Sequence, residues 1–413
     1  MPRRHGGRTH QRLVTEEASE DPEQASGQAS SEQAIVPLRT IAREWTRIGC
    51  IGFGGPPAHI ALLRRMCVEE RHWIAAGEFE DGVAATNLLP GPASTQLAIF
   101  CAWRLRGTAG AVIGGACFII PGLVLILGLS ALFLANHPPI GILGAAAGAG
   151  AAVPAVALRA AAGFVPASWR RIGNGAGDHE RWIAYALVGC VVTAAAGPYL
   201  VLAILACGLA EIALRHARPP GLPAVVPGVV AHAIVGGGAL VALSWVAFKV
   251  GALSYGGGFV IVPLMQHDAV TTYHWMSGAQ FLNAVALGQV TPGPVVQTVA
   301  VIGYAAHGLE GGLLAAVIAF SPSFLFVLYG GPRFDSIRRN ARVQTFLSGA
   351  GPTVVGAIAG SAIPLGLSFQ DPWQLIVLGG ALLGLFVLRR GVVEVLVICG
   401  VLGVAVALSG VKV

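Results

Sequence analysis

Charge is what this sequence has least of. Of its 413 residues, 11% are Asp, Glu, Lys or Arg and 55% are hydrophobic, whereas soluble domains carry about a quarter charged residues. That shortage excludes an ordinary soluble protein. The formal net charge of +6 comes mostly from arginines near the ends of apolar runs, and no basic stripe is interleaved with aromatics, so no nucleic-acid partner is expected. There is no C-x-x-C pair. Cys50, Cys67, Cys101, Cys117, Cys190, Cys207 and Cys399 are scattered and read as small packing residues. His59, His72 and His274 have no ligand spacing, so no metal site and no cofactor are expected. The absence of G-x-x-x-x-G-K-[ST] argues against ATP drive by this chain. Residues 1–37 are polar and lack the apolar core of a signal peptide, and are expected to form a disordered cytoplasmic tail.

What is abundant is uncharged apolar sequence. The run GTAGAVIGGACFIIPGLVLILGLSALFLAN, 107–136, holds no charge at all, and about 20 apolar residues suffice to cross the hydrocarbon core. Many such runs recur. The expected fold is an all-α polytopic membrane protein with about 10–12 membrane segments, and membrane lipid is its surrounding partner.

The chain also repeats itself. At an offset of 202, Gly54 and Gly55 meet Gly256 and Gly257, His72 and Trp73 meet His274 and Trp275, and Pro90, Gly91 and Pro92 meet Pro292, Gly293 and Pro294. Gly110 pairs with Gly312 and Phe118 with Phe320 in the same frame, and Arg47 meets Lys249. GAGAAV at 148–153 meets GAGPTV at 349–354 after a one-residue shift. Two repeats are expected, 38–218 and 219–413.

Orientation follows from the basic residues, which concentrate on the cytoplasmic side. Arg104, Arg106, Arg159, Arg170, Arg171, Arg181, Arg215, Arg218, the cluster at 333–342, Arg389 and Arg390 mark that side. The connections near 135–140, 266–279, 306–311 and 368–372 carry no Lys or Arg. Crossings at 107–134, 140–160, 182–196, 198–214 and 224–247 then separate equivalent points of the repeats. The number is odd, so the halves lie upside down to each other. A split at Pro198 is essential to that parity. Two inverted-topology repeats with broken or re-entrant helices are a common plan of secondary transporters, with the substrate near the midplane.

The breaks themselves are chemically pointed. In NLLPGPASTQ, 87–96, and QVTPGPVVQT, 289–298, Pro-Gly-Pro stops one helical piece and starts another. A fresh helix N-terminus offers free N–H groups and partial positive charge, which suit an anion. The candidate substrate residues are Asn87, Pro90, Gly91, Pro92, Ser94, Thr95 and Gln96, with Gln289, Thr291, Pro292, Gly293, Pro294, Gln297 and Thr298 in the second copy. The competing role for these prolines is a kink that only shapes packing. GFGGPP, 52–57, and SYGGGF, 254–259, place Gly54, Gly55, Gly256 and Gly257 at a second pair of breaks, lining a cavity or letting helices cross tightly. Lys249 lies in a long apolar run and is a candidate to attract substrate, or to snorkel. Arg47, Arg64 and Arg71 are further charge candidates, and Glu78 could carry a coupling proton or be a solvated loop acid. Deep segments hold amides, hydroxyls, Pro and Gly rather than clustered acids or histidines, which argues against an intramembrane enzyme. Small residues on many helices would allow a homodimer.

The segments FGGPPAHIALLRRMCVEERHWI and LLPGPASTQLAI, answered by YGGGFVIVPLM, HWM and GQVTPGPVVQTVAVIGY, resemble the repeated signature of the chromate ion transporter family over roughly 38–411. That resemblance implies an inner-membrane exporter of chromate, a tetrahedral dianion like sulfate, coupled to protons or a counter-anion and conferring chromate resistance. Sulfate or another oxyanion, possibly taken up, is the alternative substrate. It also implies that Gly54, Gly55, Pro56, Arg71, Trp73, Pro90, Gly91 and Pro92 form the first motif, with Gly256, Gly257, Trp275, Pro292, Gly293 and Pro294 in the second. Gly258 stands where the first motif has Pro56.

Overall fold

The broken apolar stretches fold back on themselves as helical hairpins. The computed structural model describes residues 36–87, 91–173, 175, 177–215, 238–254, 260–330 and 340–410, and every regular element among them is helical. Pro90, Gly256, Gly257 and Gly258, and most of the crossing expected at 224–247, lie outside the described residues.

Helix α1 (Leu38–Ile51) stops at Gly52, and α2 (Pro56–Arg64) starts after Gly54 and Gly55 and continues as a wider π stretch, Arg65–Glu70. Glu44 on α1 pairs with Arg71 just beyond that stretch at 2.7 Å, so the two legs run antiparallel. Next come α3 (Ala76–Thr86) and α4 (Ala93–Phe133). Glu78 pairs with Arg104, and a Cβ on Gly82 would overlap Phe100. In each pair the partners lie equally far before and after Gly91. The segment about Gly91 is therefore a hairpin tip, and Gly91 turns with a φ of +118° that an L side chain rarely adopts.

α4 then reverses at Arg106 (φ −149°, ψ 24°) and Gly107 (φ 60°, ψ −149°). Beyond the turn, Gly110 closes on Ala102 and Gly115 on Ile99. The 11 residues of α3 measure about 16 Å, at about 1.5 Å per residue. Such a leg ends about halfway through a hydrocarbon core of about 30 Å. The segment 93–106 is the returning leg, and 107–133 is long enough to cross.

The second repeat copies this plan in α8 (Ala239–Leu253), α9 (Val262–Gln266) with its π stretch His267–Thr272, α10 (Gly278–Val290), a 3₁₀ turn Val295–Gln297, and α11 (Thr298–Gly330). His72 and His274 share left-handed φ values of 50° and 52°. Trp73 N–H donates to Cys67 C=O and Trp275 N–H to Ala269 C=O, both at 2.8 Å. After the tip the offset becomes 201: the reversal recurs at His307–Gly308, and Gly311 closes on Gly303 as Gly110 closes on Ala102. The expected pairings Gly110–Gly312 and Phe118–Phe320 are thereby corrected to Gly110–Gly311 and Phe118–Ala319, and Pro121 meets Pro322. The 3₁₀ turn supplies the reason. Its three residues rise about 2.0 Å each instead of about 1.5 Å, which recovers the height of one helical residue.

The remaining helices are α5 (Ile140–Ile172), α6 (Asp178–Ala196), α7 (Leu200–Arg215), α12 (Ala341–Gly366), α13 (Trp373–Leu382, continued by Leu383–Val387) and α14 (Val392–Leu408). α6 and α7 are antiparallel about the 3₁₀ turn Gly197–Tyr199, since Asp178 pairs with Arg215 at 3.2 Å and Tyr185 donates to Glu211 at 3.1 Å. The split expected at Pro198 is present. The halves exchange partners: α5 packs on α14, and α12 packs on α6 and α7. Gly148 faces the Cys399 carbonyl and Gly356 that of Ala186, contacts with no space for a Cβ.

Helix 107–133 serves as a ruler for orientation. The base of the first-repeat hairpin lies beside Gly110. The tip of the second-repeat hairpin lies at Ile119 and Gly122, and its base, at Gly312, touches Leu127. The two hairpins therefore enter from opposite ends and point at each other.

Candidate transport site at the hairpin tips

The tips meet through backbone. Gly293 N–H donates to the Gly52 carbonyl at 3.0 Å, joining the second Pro-Gly-Pro to the first glycine break. His59 Nε2 reaches the same carbonyl at 2.9 Å, and Phe118 meets that imidazole edge-on at 5.1 Å between ring centres. Gln297 Nε2 donates to Ile119 C=O at 2.8 Å, which ties the second tip to helix 107–133. Gly91 lies under the Gln96 amide and Gly293 under the Gln297 amide, so each tip is roofed by its own glutamine.

Two neighbouring cavities open beside these tips. The first, of about 330 Å³, is lined by Thr86, Asn87, Gly91 and Ala93 of the first tip, by Gly163, Phe164, Ser168 and Arg171 of α5, and by Gly351 and Val354 of α12. α4 begins at this cavity, and no side chain caps its first turn; Thr95 and Gln96 N–H donate to Pro92 C=O, so the N-terminal dipole and the N–H groups of Ala93 and Ser94 are what the turn offers an anion. The second, of about 360 Å³, is lined by Gly54, Gly55 and Pro56, by Gln289 and Val295 of the second repeat, by Arg159, Gly163 and Phe164 of α5, and by Arg390. A third cavity, of about 480 Å³, lies at the opposite end and is lined by Phe133, Leu134, Ser277, Gln280, Asn283, Gln370 and Asp371; among the described residues neither Lys nor Arg lines it. Arginines thus face the two tip cavities, and an acid faces the third.

The candidates read from sequence divide accordingly. Asn87 and Gly91 line the first cavity, and Gly54, Gly55 and Gln289 line the second. Ser94, Thr95, Gln96, Gln297 and Thr298 are at most 1% exposed and pack within the hairpins. Thr291 and Thr298 donate to Leu287 C=O and Val295 C=O, both at 2.9 Å. Pro92, Pro292 and Pro294 flank the tip glycines. Lys249 pairs with Asp268 at 2.6 Å, with its ammonium 5.9 Å above the Trp245 ring, and it lines none of the three cavities. Arg47 lies 3.8 Å from Glu44, Arg64 pairs with Glu69 and Glu80, and Glu78 pairs with Arg104. Arg47–Glu44 lies within α1, whereas Arg71–Glu44, Arg64–Glu80 and Arg104–Glu78 each tie one helical leg to another.

Sequence reasoning passed over Arg159, Arg171 and Arg390 as site residues and used them only to mark orientation. Among the described residues Arg159 and Arg171 form no ion pair, while Arg390 reaches Glu394 at 3.2 Å. The available signal was Arg159 itself, a cation inside the apolar stretch AVALRAAAGF, the same pattern that singled out Lys249.

Comparison with known proteins agrees with this architecture. The family described as "Chromate transporter" matches residues 39–212 and 241–404, one match per repeat. The chain is 32% identical over 338 residues to a chromate transport protein of Cupriavidus metallidurans, covering 79% of this chain and 82% of that one. It is 31% identical over 375 residues to a chromate transport protein of Pseudomonas aeruginosa, covering 85% and 87%. A probable chromate transport protein of Synechococcus elongatus is 28% identical over 346 residues, covering 80% and 84%. No solved structure matches. With both repeats matched and the hairpin tips gathered around arginine-lined cavities, the chain belongs to the chromate transporter family.

Proposed function

We propose that this protein is a secondary active exporter of chromate across the inner membrane, with its N-terminus in the cytoplasm, and that export confers chromate resistance. The observation that carries the reading is the first cavity. It brings an uncapped helix N-terminus, Asn87 and Arg171 together around one space of about 330 Å³. A tetrahedral dianion presents acceptors in every direction, and each of these groups can donate to it.

The direction rests on charge asymmetry. Arg159, Arg171 and Arg390 face the tip cavities, and Asp371 faces the third cavity. Basic ends of apolar helices belong to the cytoplasmic side, so a dianion is drawn in from the cytoplasm and released past an acid. The opposed hairpins provide the moving parts for alternating access. Release against a concentration gradient then requires exchange against protons or a counter-anion.

The test is uptake of radiolabelled chromate into inverted membrane vesicles containing this protein, with and without an imposed proton gradient and with excess sulfate. Saturable, gradient-dependent uptake is the expected result, with sulfate competing for the same dianion site. Correctly inserted protein that takes up no chromate would overturn the substrate assignment.

A further inference from the structure

We propose that the second cavity is a dianion site of its own, so that one chain holds two oxyanions side by side. This rests on the reading of the first cavity as the chromate site.

The argument begins with Gln289. The residue lines the second cavity and is 8% exposed, and its amide nitrogen is buried without a hydrogen-bond partner. An amide nitrogen donates and does not accept, and a buried donor left unmet is costly, so the position calls for an acceptor. Arg159 and Arg390 border the same space, and no carboxylate among the described residues lines it. A cation is therefore a poor fit, a neutral apolar molecule leaves Gln289 unmet, and an oxyanion answers all three groups. The volume of about 360 Å³ is several times the roughly 30 Å³ occupied by a water molecule in the liquid, enough for a tetrahedral dianion with part of its hydration shell.

The two cavities divide the repeats between them. The first takes Asn87 and Gly91 from the first Pro-Gly-Pro tip. The second takes Gln289 and Val295 from the flanks of the second tip, together with Gly54 and Gly55. Gly163 and Phe164 line both, which makes Phe164 the partition between them. Two dianions on either side of one aromatic ring repel each other, so arrival of the second promotes departure of the first. That is a physical basis for anion-for-anion exchange.

The experiment counts ligands. The full-length protein, purified into lipid nanodiscs, is dialysed to equilibrium against radiolabelled chromate. Two chromates per chain are expected at saturation. Arg159→Gln and Gln289→Leu should each leave one, Arg171→Gln should leave the other, and Arg159→Lys should retain two. A wild-type stoichiometry of one overturns the second site and leaves the proposed function standing. Variants of both cavities that weaken a single common site do the same. Wild-type protein that binds no chromate defeats both readings together. Because the wild-type count decides by itself, a variant that fails to fold does not block the test.

Discussion

At the scale of single residues, the site depends on where a side chain is absent. Gly122 leaves the space into which the Pro292 carbonyl and the Gln297 amide fit, and a Cβ there would overlap both. Gly122→Ala is expected to destabilise the protein by about 1–3 kcal/mol, the usual cost of overpacking. The readout is a lower thermal midpoint in detergent together with lost transport; an unchanged midpoint would show that the tip does not lodge there. Lys249 makes the complementary case. Its partner Asp268 is 9% exposed, so Lys249→Gln strands a buried carboxylate. The expected outcome is reduced stability with an unchanged KM for chromate, and recovery of stability on adding Asp268→Asn. A raised KM with normal stability would return Lys249 to the substrate path. Sequence identified Lys249 as an unusual intramembrane cation but could not show its partner, because Asp268 is supplied by another helix. Arg159 carried the same signal, and only the fold shows that it borders a cavity. Side-chain destinations are long-range facts, and a linear pattern does not contain them.

At the scale of elements, the hairpins were legible where proline and glycine write them into the local backbone. The turn at Gly91, the second Pro-Gly-Pro break, the first glycine break and the split between α6 and α7 stand where the sequence placed them, while the second glycine break lies outside the described residues. The reversal at Arg106–Gly107 was legible only in part: the sequence starts a crossing at 107 after Arg104 and Arg106, but WRLRGTAG contains no proline, and its two glycines do not distinguish a kink from a turn. The change of offset to 201 showed in the sequence only at GAGAAV and GAGPTV, and its place just after the tip was hidden, because it arises from the kind of helical turn there. The tips give an element-level prediction. Proline at the start of the outgoing leg fixes its φ and supplies no N–H, and Pro92 and Pro294 occupy that position. Pro92→Leu and Pro294→Leu are each expected to abolish most chromate transport while leaving the amount of protein in the membrane unchanged. Normal transport by the well-expressed double variant would show that the broken helices serve packing alone.

At the scale of the whole molecule, the opposed hairpins make a claim about sides. The first and third cavities lie at opposite ends of the hairpin pair, so single residues lining them should be reachable from opposite faces of the membrane. Ala167 lines the first cavity and Ala279 the third. With the exposed Cys50 replaced by serine, Ala279→Cys should react with an impermeant thiol reagent added to intact cells. Ala167→Cys should react only in inverted vesicles, and chromate should slow its labelling. Reaction of both cysteines from one face would refute the opposed orientation, even though contacts at Gly52, Ile119 and Leu127 assemble it. Labelling of Ala167→Cys from outside alone would keep the hairpins opposed but reverse the molecule in the membrane. The arginine-lined cavities would then face outward, and the same charge asymmetry would describe capture from the medium rather than export.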